Sequence, residues 1–240
     1  MSNPWDKLSK LFDTTKDESD IPSRVADNIL IAWPVILKFI SKYTPDGKNL
    51  RVLEYGCGSG SLAYRLSQLG YQVTGVDSSE EMIRNAKSAY GDTSDFLCGD
   101  TSILSRLTPF SIITSVMTFQ FIENIEESLT GLANSLIHNG LFTFAVPNPK
   151  LIKEYLHADI LFEDFDSIKN PKKGILNWGG NRIPIFIRSA DEYNQILQKM
   201  GFEPIMEEYP PFTKEFLEKY PSSDPTDIPE FLILGYRKVR

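Results

Sequence analysis

Three carboxylates and a run of alternating glycines carry the chemistry this chain displays. Glu54 stands two residues ahead of Gly56-Cys57-Gly58-Ser59-Gly60. Asp77 closes Val73-Thr74-Gly75-Val76-Asp77 and is followed by Ser78, and Asp100 sits in Gly99-Asp100-Thr101. Glycines at alternate positions let a ligand lie directly on the backbone, because they carry no side chain and tolerate positive φ. An acid at the end of a second strand accepts two hydrogen bonds from a ribose diol. A further acid at the end of a third strand accepts from an exocyclic adenine amine. The ligand such a set reads is a nucleoside.

These residues need a scaffold, and the surrounding pattern supplies one. Leu50, Val52 and Leu53 run apolar into Glu54, and Leu62, Ala63 and Leu66 after the glycines have helical spacing. This is a strand, a tight turn and a helix. Further strands are expected at 72–76, 94–98, 111–115 and 140–146, with helices at 61–69, 80–90 and 126–137 between them. Strands alternating with helices give a parallel sheet covered on both faces by right-handed crossovers. Glu54, Asp77, Asp100 and the Ser115-Val116 pair then share the carboxyl rim, where open sheets bind ligands.

Ahead of the sheet, Trp5, Leu8, Leu11 and Phe12 are spaced as a short amphipathic helix. Ser23 is read as the cap of a second helix, whose stripe of Val25, Ile29, Trp33, Ile36 and Ile40 is kinked at Pro34. After Pro149 the alternation breaks. A helix is expected over 151–158, then a hairpin of 175–178 and 182–187 with Pro184 marking its second strand as an edge. A helix over 190–200 stopped by Gly201, strands at 202–208 and 231–238, and a short helix at 214–220 complete the chain. The boundaries read as a helical cap over 1–44, a binding core over 45–149, a lid insert over 150–188 and a return to the core sheet over 189–240.

Together, these motifs resemble the class I S-adenosylmethionine-dependent methyltransferases. Glu54, Gly56, Gly58 and Gly60 match the family's E-x-G-x-G-x-G turn, Asp77 its ribose acid, Asp100 its adenine acid and Met82 the apolar residue over the adenine. The match spans about residues 48–149. It implies an α/β, Rossmann-like, doubly wound and mostly parallel seven-stranded sheet with S-adenosyl-L-methionine as cofactor. It further implies a cofactor site of Glu54, Gly56, Cys57, Gly58, Gly60, Asp77, Ser78, Met82, Asp100, Thr101, Ser115 and Val116. A nicotinamide dehydrogenase also uses a glycine turn and an acid, but its G-x-G-x-x-G spacing calls for glycine or alanine where Ser61 stands.

Methyl transfer depends on in-line geometry more than on acid–base groups, so it leaves no obligatory catalytic signature. His157, in the insert, is the candidate base; His138 enters the fifth strand at the opposite end of the sheet and is read as structural. Thr118-Phe119-Gln120-Phe121 after the fourth strand lacks the N/D-P-P-Y/F run associated with methylation of nucleobase or amide nitrogens. Recognition is assigned to the aromatic residues outside the core, Trp5, Phe12, Trp33, Tyr155 and Trp178, with Phe121 near the sulfonium. An aromatic-lined lid suits a small, partly apolar methyl acceptor. A non-catalytic binder of the cofactor or its product, and a tRNA-modifying enzyme, are the competing readings.

A net charge of -7 over 240 residues argues against a chain that tracks phosphate backbones. No apolar run approaches the roughly 18 residues of a membrane span. The first residues lack the basic segment and apolar core of a signal peptide, so a cytoplasmic location is expected. Two cysteines and two histidines have no zinc-ligand spacing.

Overall fold

In the computed structural model, residues 3–15, 21–151, 162–166, 172–178, 180–221 and 227–240 are described. Adjacent residues of the central strands feed opposite faces of one sheet, which is why apolar residues there run in succession. Val52 and Ile112 pack into one core layer, and Leu53 and Ile113 into the other. The strands are β1 (Arg51–Tyr55), β2 (Gln72–Asp77), β3 (Asp95–Cys98), β4 (Phe110–Val116), β5 (Leu136–Pro147), β9 (Phe202–Glu208) and β10 (Phe231–Lys238). Their order is β3-β2-β1-β4-β5-β10-β9. The first five run parallel, while β10 is antiparallel to both β5 and β9. The order reverses between β1 and β4, which opens a crevice at their carboxyl ends.

Helices α4 (Ser61–Gln68), α5 (Glu80–Tyr90), α6 (Ile125–Ser135) and α7 (Ala190–Lys199) cover the sheet, and α8 (Lys214–Lys219) precedes β10. Ser79 caps α5 through the Met82 N–H, and Ser189 with Glu192 forms a capping box on α7. The helix expected to reach Ile137 stops at Ser135, because β5 takes over from Leu136. His138 therefore lies within β5, where it is exposed.

The N-terminal region shows two departures from the pattern. Helix α2 (Ser23–Asp27) is preceded by Pro22 at its cap, with no side-chain capping bond, so Ser23 is its first helical residue and not its cap. Between α2 and α3 (Trp33–Tyr43), residues Asn28–Ala32 form a π turn in which the Trp33 N–H reaches the Asn28 carbonyl. Pro34 has no N–H to give, and the widened turn just ahead of it is the local consequence. Ahead of these, α1 (Pro4–Leu8) is capped by Asn3.

The insert holds more sheet than the hairpin its sequence announced. β6 (Phe162–Asp166), β7 (Lys172–Trp178) and β8 (Asn181–Ile187) form an antiparallel three-stranded sheet in that order, with Pro184 on the edge strand β8. Leu176, Ile185 and Ile187 pack with Phe121 and Trp178. The buried Arg188 guanidinium donates to the carbonyls of Phe119 (3.3 Å), Ile122 (2.8 Å) and Glu123 (2.8 Å), tying the insert to the turn after β4. The helix expected over 151–158, with Tyr155 and His157, lies almost wholly outside the described residues.

Candidate active site

The glycine turn begins where β1 runs out. Gly56 has φ +75°, and a Cβ there would stand 2.0 Å from Thr118 Oγ1, so the turn and the segment after β4 touch only because the side chain is missing. Gly58, at φ +52°, has no neighbour for a Cβ closer than Met82 Sδ at 4.0 Å. Its backbone faces open space, the cradle that the alternating glycines suggested.

Asp77 organises this turn. Its Oδ2 accepts from the Gly58 N–H at 2.9 Å and its Oδ1 from the Ser79 N–H at 2.9 Å. Burial raises its pKa, and those two bonds oppose the rise. Glu54 is buried; its carboxyl meets the backbone of Ala63 in the first turn of α4, while Oε2 has no partner. Burial pushes the Glu54 carboxyl well above the usual carboxylate range and raises the Cys57 thiol as well. A buried acceptor without a donor is costly. A ligand carrying a cationic amino group would relieve that cost.

A strap formed by residues 3–15 lies over these groups. Asn3 Nδ2 donates to the Ser78 carbonyl at 2.7 Å and to its Oγ at 3.1 Å. Asp6 Oδ1 accepts from Ser79 Oγ at 2.7 Å and from the Glu81 N–H at 3.3 Å, which places an acid at the N-terminus of α5. At its other end, Thr14 bonds Ser59 and Ser61 through its hydroxyl, at 2.9 and 2.8 Å.

Beneath the strap is a cavity of about 370 Å³, within the range of small-molecule sites. Of the predicted cofactor residues, Glu54, Gly56, Cys57, Gly58, Asp77, Ser78, Met82 and Val116 line it. Gly60, Asp100, Thr101 and Ser115 are not in the lining. Gly60 sits against Phe96 and Ala86, and Thr101 against Gly131. Ser115 Oγ donates to the Tyr55 carbonyl at 2.7 Å inside the sheet. Asp100 caps the 3-10 turn Thr101–Arg106 through the Ser102 N–H at 2.9 Å, and its bonds to Ser102 hold its pKa below the usual value.

The far wall is aromatic. Trp5, Phe12, Trp33, Phe121 and Trp178 all line the cavity, drawn from the strap, α3, the post-β4 turn and the insert. Trp5 and Phe121 meet edge to face at 4.6 Å between centroids, and Phe12 lies 5.1 Å from Trp178. Sequence reasoning did not nominate Asp27, Asn28, Thr118, Gln120 or Glu230, which also line it. Met117 between β4 and that turn has φ +52°, an uncommon backbone for a side-chain-bearing residue, and adjoins the cavity. Among the described residues, no helix is long and apolar enough to cross a membrane.

A parallel sheet reversing beside a glycine cradle, with an orphaned buried carboxyl and an aspartate at the next strand end, defines a class. That class is the S-adenosylmethionine-dependent methyltransferases, whose cofactor is S-adenosyl-L-methionine. A model of the methyltransferase domain matches residues 23–207, and the chain belongs to that family. It is 29% identical over 126 residues to a malonyl-[acyl-carrier protein] O-methyltransferase of Bacillus cereus, covering 51% of this chain and 46% of that protein. It is 31% identical over 158 residues to a ubiquinone biosynthesis O-methyltransferase of Coxiella burnetii, covering 64% of this chain and 66% of that protein. The matched stretch thus spans about half the length of the first relative and about two thirds of the second. Among solved structures, an S-adenosylmethionine-dependent methyltransferase of Mesorhizobium loti superposes with a TM-score of 0.63 at 19% identity, covering 82% of this chain and 94% of that one. The magnesium protoporphyrin IX methyltransferase of Synechocystis, solved with bound cofactor, gives 0.61 at 16% identity, covering 99% and 98%. At those identities the likeness speaks for the fold.

Proposed function

We propose that this chain methylates a small-molecule acceptor held in the same cavity as the cofactor, by direct in-line displacement. The observation that carries the reading is the continuity of that cavity. One continuous space runs from the Gly56–Gly58 cradle and Asp77 to the aromatic wall of Trp5, Phe121 and Trp178. Both relatives are named O-methyltransferases, which favours oxygen as the receiving atom.

In this reading Asp77 holds the ribose hydroxyls, Met82 covers the adenine, and Glu54 with the Gly56–Gly58 backbone receives the amino-acid end. Asp100 reads the adenine edge only by exchanging its Ser102 bond for the exocyclic amine. When bound, S-adenosyl-L-methionine supplies a methyl group on a sulfonium, reactive enough to need little besides alignment. The protein's share is orientation, worth about 7–11 kcal/mol in well-aligned reactions. The strap and the insert exclude water from the space where acceptor and methyl meet.

Incubation with methyl-labelled cofactor and a metabolite extract tests this. Label should appear in a low-molecular-weight product. Label in RNA or protein, or tight cofactor binding with no transfer to any fraction, would overturn the reading.

A further inference from the structure

The lining holds a group of polar side chains that the cofactor reading does not use. Asp27 ends α2, Asn28 opens the π turn, Gln120 lies in the 3-10 turn after β4, and Glu230 precedes β10. Three separate segments bring them to one cavity. Among the described residues, Asp27 Oδ1, Asn28 Oδ1 and Gln120 Oε1 are shut off from solvent and have no hydrogen-bond partner. Gln120 is only 1% exposed, and its amide nitrogen has no better partner than Met117 Sδ at 3.8 Å. Buried polar atoms are nearly always satisfied in native proteins. Three orphans on one cavity wall point to a ligand that completes them.

Asp27 Oδ1 as a carboxylate oxygen only accepts, whereas Asn28 and Gln120 each carry an acceptor oxygen and a donor NH2 that a half-turn exchanges. Asp27 also shares a hydrogen bond with Glu230, so the two carboxyls lie close together. Burial raises the Asp27 pKa, and the bond to Glu230 opposes that rise. A hydrogen bond between two carboxyls needs a proton on one of them, and two adjacent carboxylates resist full ionisation. A ligand placing its own carboxylate here would meet the like charge of the Asp27–Glu230 pair. Among the described residues, Arg24 is the one basic side chain on the lining, but it is exposed, where an ion pair contributes about 0–1 kcal/mol. The half-buried Asp27 and Glu230, with Asp27 Oδ1 shut off from solvent, outweigh it.

From these observations we propose that Asp27, Asn28, Gln120 and Glu230 form the acceptor-reading face of the cavity, selecting a molecule that presents hydrogen-bond donors, hydroxyl or ammonium, and rejecting a carboxylate. This rests on the methyltransferase reading above and narrows its substrate class. An acceptor ending in a free carboxylate, as a malonyl group does, is the wrong chemistry for this wall. A hydroxyl-bearing one is the right chemistry. The π turn serves the selection by presenting Asn28 directly after Asp27 where the helix widens.

The protein carries its own reporter, since all three tryptophans, Trp5, Trp33 and Trp178, line the cavity. With the protein saturated in S-adenosylhomocysteine, tryptophan fluorescence is titrated with catechol, benzylamine and benzoate near neutral pH. Catechol, benzylamine or both should bind at least about tenfold more tightly than benzoate, a difference of about 1.4 kcal/mol. Tight catechol identifies a hydroxyl acceptor and tight benzylamine an ammonium acceptor. In Asp27→Asn, and separately in Glu230→Gln, the preference should shrink to less than about threefold. Benzoate binding as well as the donors, no quenching by any of the three, or a preference unchanged in both variants would overturn the proposal. Calorimetric binding of S-adenosylhomocysteine, run on each protein, separates the two levels of failure. If it binds and the selectivity is absent, only the acceptor face is wrong; if it does not bind wild type, the methyltransferase reading fails first.

Discussion

Replacing Asp77 by Asn tests the cradle at its most connected residue. Wild-type Asp77 accepts from the N–H groups of Gly58 and Ser79, one on each oxygen. An asparagine keeps one of those bonds and turns an amide NH2 toward the other donor. It also removes the charge that would receive the ribose diol. A hydrogen bond to a charged group contributes about 1.5–3 kcal/mol, which corresponds to about 10- to 150-fold in the dissociation constant of S-adenosylmethionine. The folded protein, by contrast, loses little. Burial disfavours the Asp77 carboxylate, as its raised pKa records, so removing the charge offsets part of the lost bond. Calorimetry and thermal unfolding on the same preparations separate these effects. Cofactor affinity should fall by at least about tenfold while the melting temperature of the ligand-free protein changes little. An affinity within about twofold of wild type would refute the role of Asp77.

The remaining predictions concern stability and geometry. Glu54, Asp77 and Asp27 all have pKa values raised by burial, so the native state holds these protons more tightly than the unfolded chain does. Ligand-free stability should therefore fall as pH rises from about 4 through the raised values; Glu54→Gln should flatten that fall in unfolding scans from about pH 5 to about pH 8, and an equal fall would contradict it. Gly56→Ala drives a methyl into Thr118, at 2.0 Å from Oγ1, and should cost about 1–3 kcal/mol of stability for that clash on top of its own positive-φ strain of about 1–2 kcal/mol. Gly58→Ala meets nothing closer than 4.0 Å, so it should cost only the positive-φ strain of about 1–2 kcal/mol yet weaken cofactor binding by filling the cradle; equal melting-temperature losses in the two variants would contradict this contrast. Arg188→Ala strands the carbonyls of Phe119, Ile122 and Glu123, at about 1–3 kcal/mol for a buried group left unpaired. Its melting temperature should drop accordingly, and an unchanged one would show that the tie between the insert and the post-β4 turn is dispensable.

The core of the fold was legible because its signals are local. The strands read as short apolar runs, and Glu54 and Asp77 stand where such runs end. Both line the cavity with Gly56 and Gly58. Position on the rim did not settle where each side chain goes. Asp100 shares that rim, yet the nearer Ser102 N–H holds it as a cap. Ser115 and Gly60 are consumed by contacts inside the sheet and against Phe96. The aromatic wall was legible as residues without a place: Trp5, Phe12, Trp33 and Trp178 stood outside the core pattern, and long-range packing brings them together. Asp27 and Glu230 were illegible for a stronger reason. They lie 203 positions apart in sequence, and nothing in the helical stripe around Asp27 distinguishes a cavity acid from a solvated one. β6 was not anticipated, because its five residues, Phe-Glu-Asp-Phe-Asp, are mostly acidic and become a strand only by pairing with β7.

The account stands on one placement, the cofactor in the cavity beneath the residue 3–15 strap, and a crystal structure grown with S-adenosylhomocysteine measures it directly. The ligand is expected between the Gly56–Gly58 turn and Met82, with its ribose against Asp77 and its sulfur toward Phe121 and the aromatic wall. Ligand bound elsewhere on the molecule, or bound in this cavity with the ribose away from Asp77, would contradict the account.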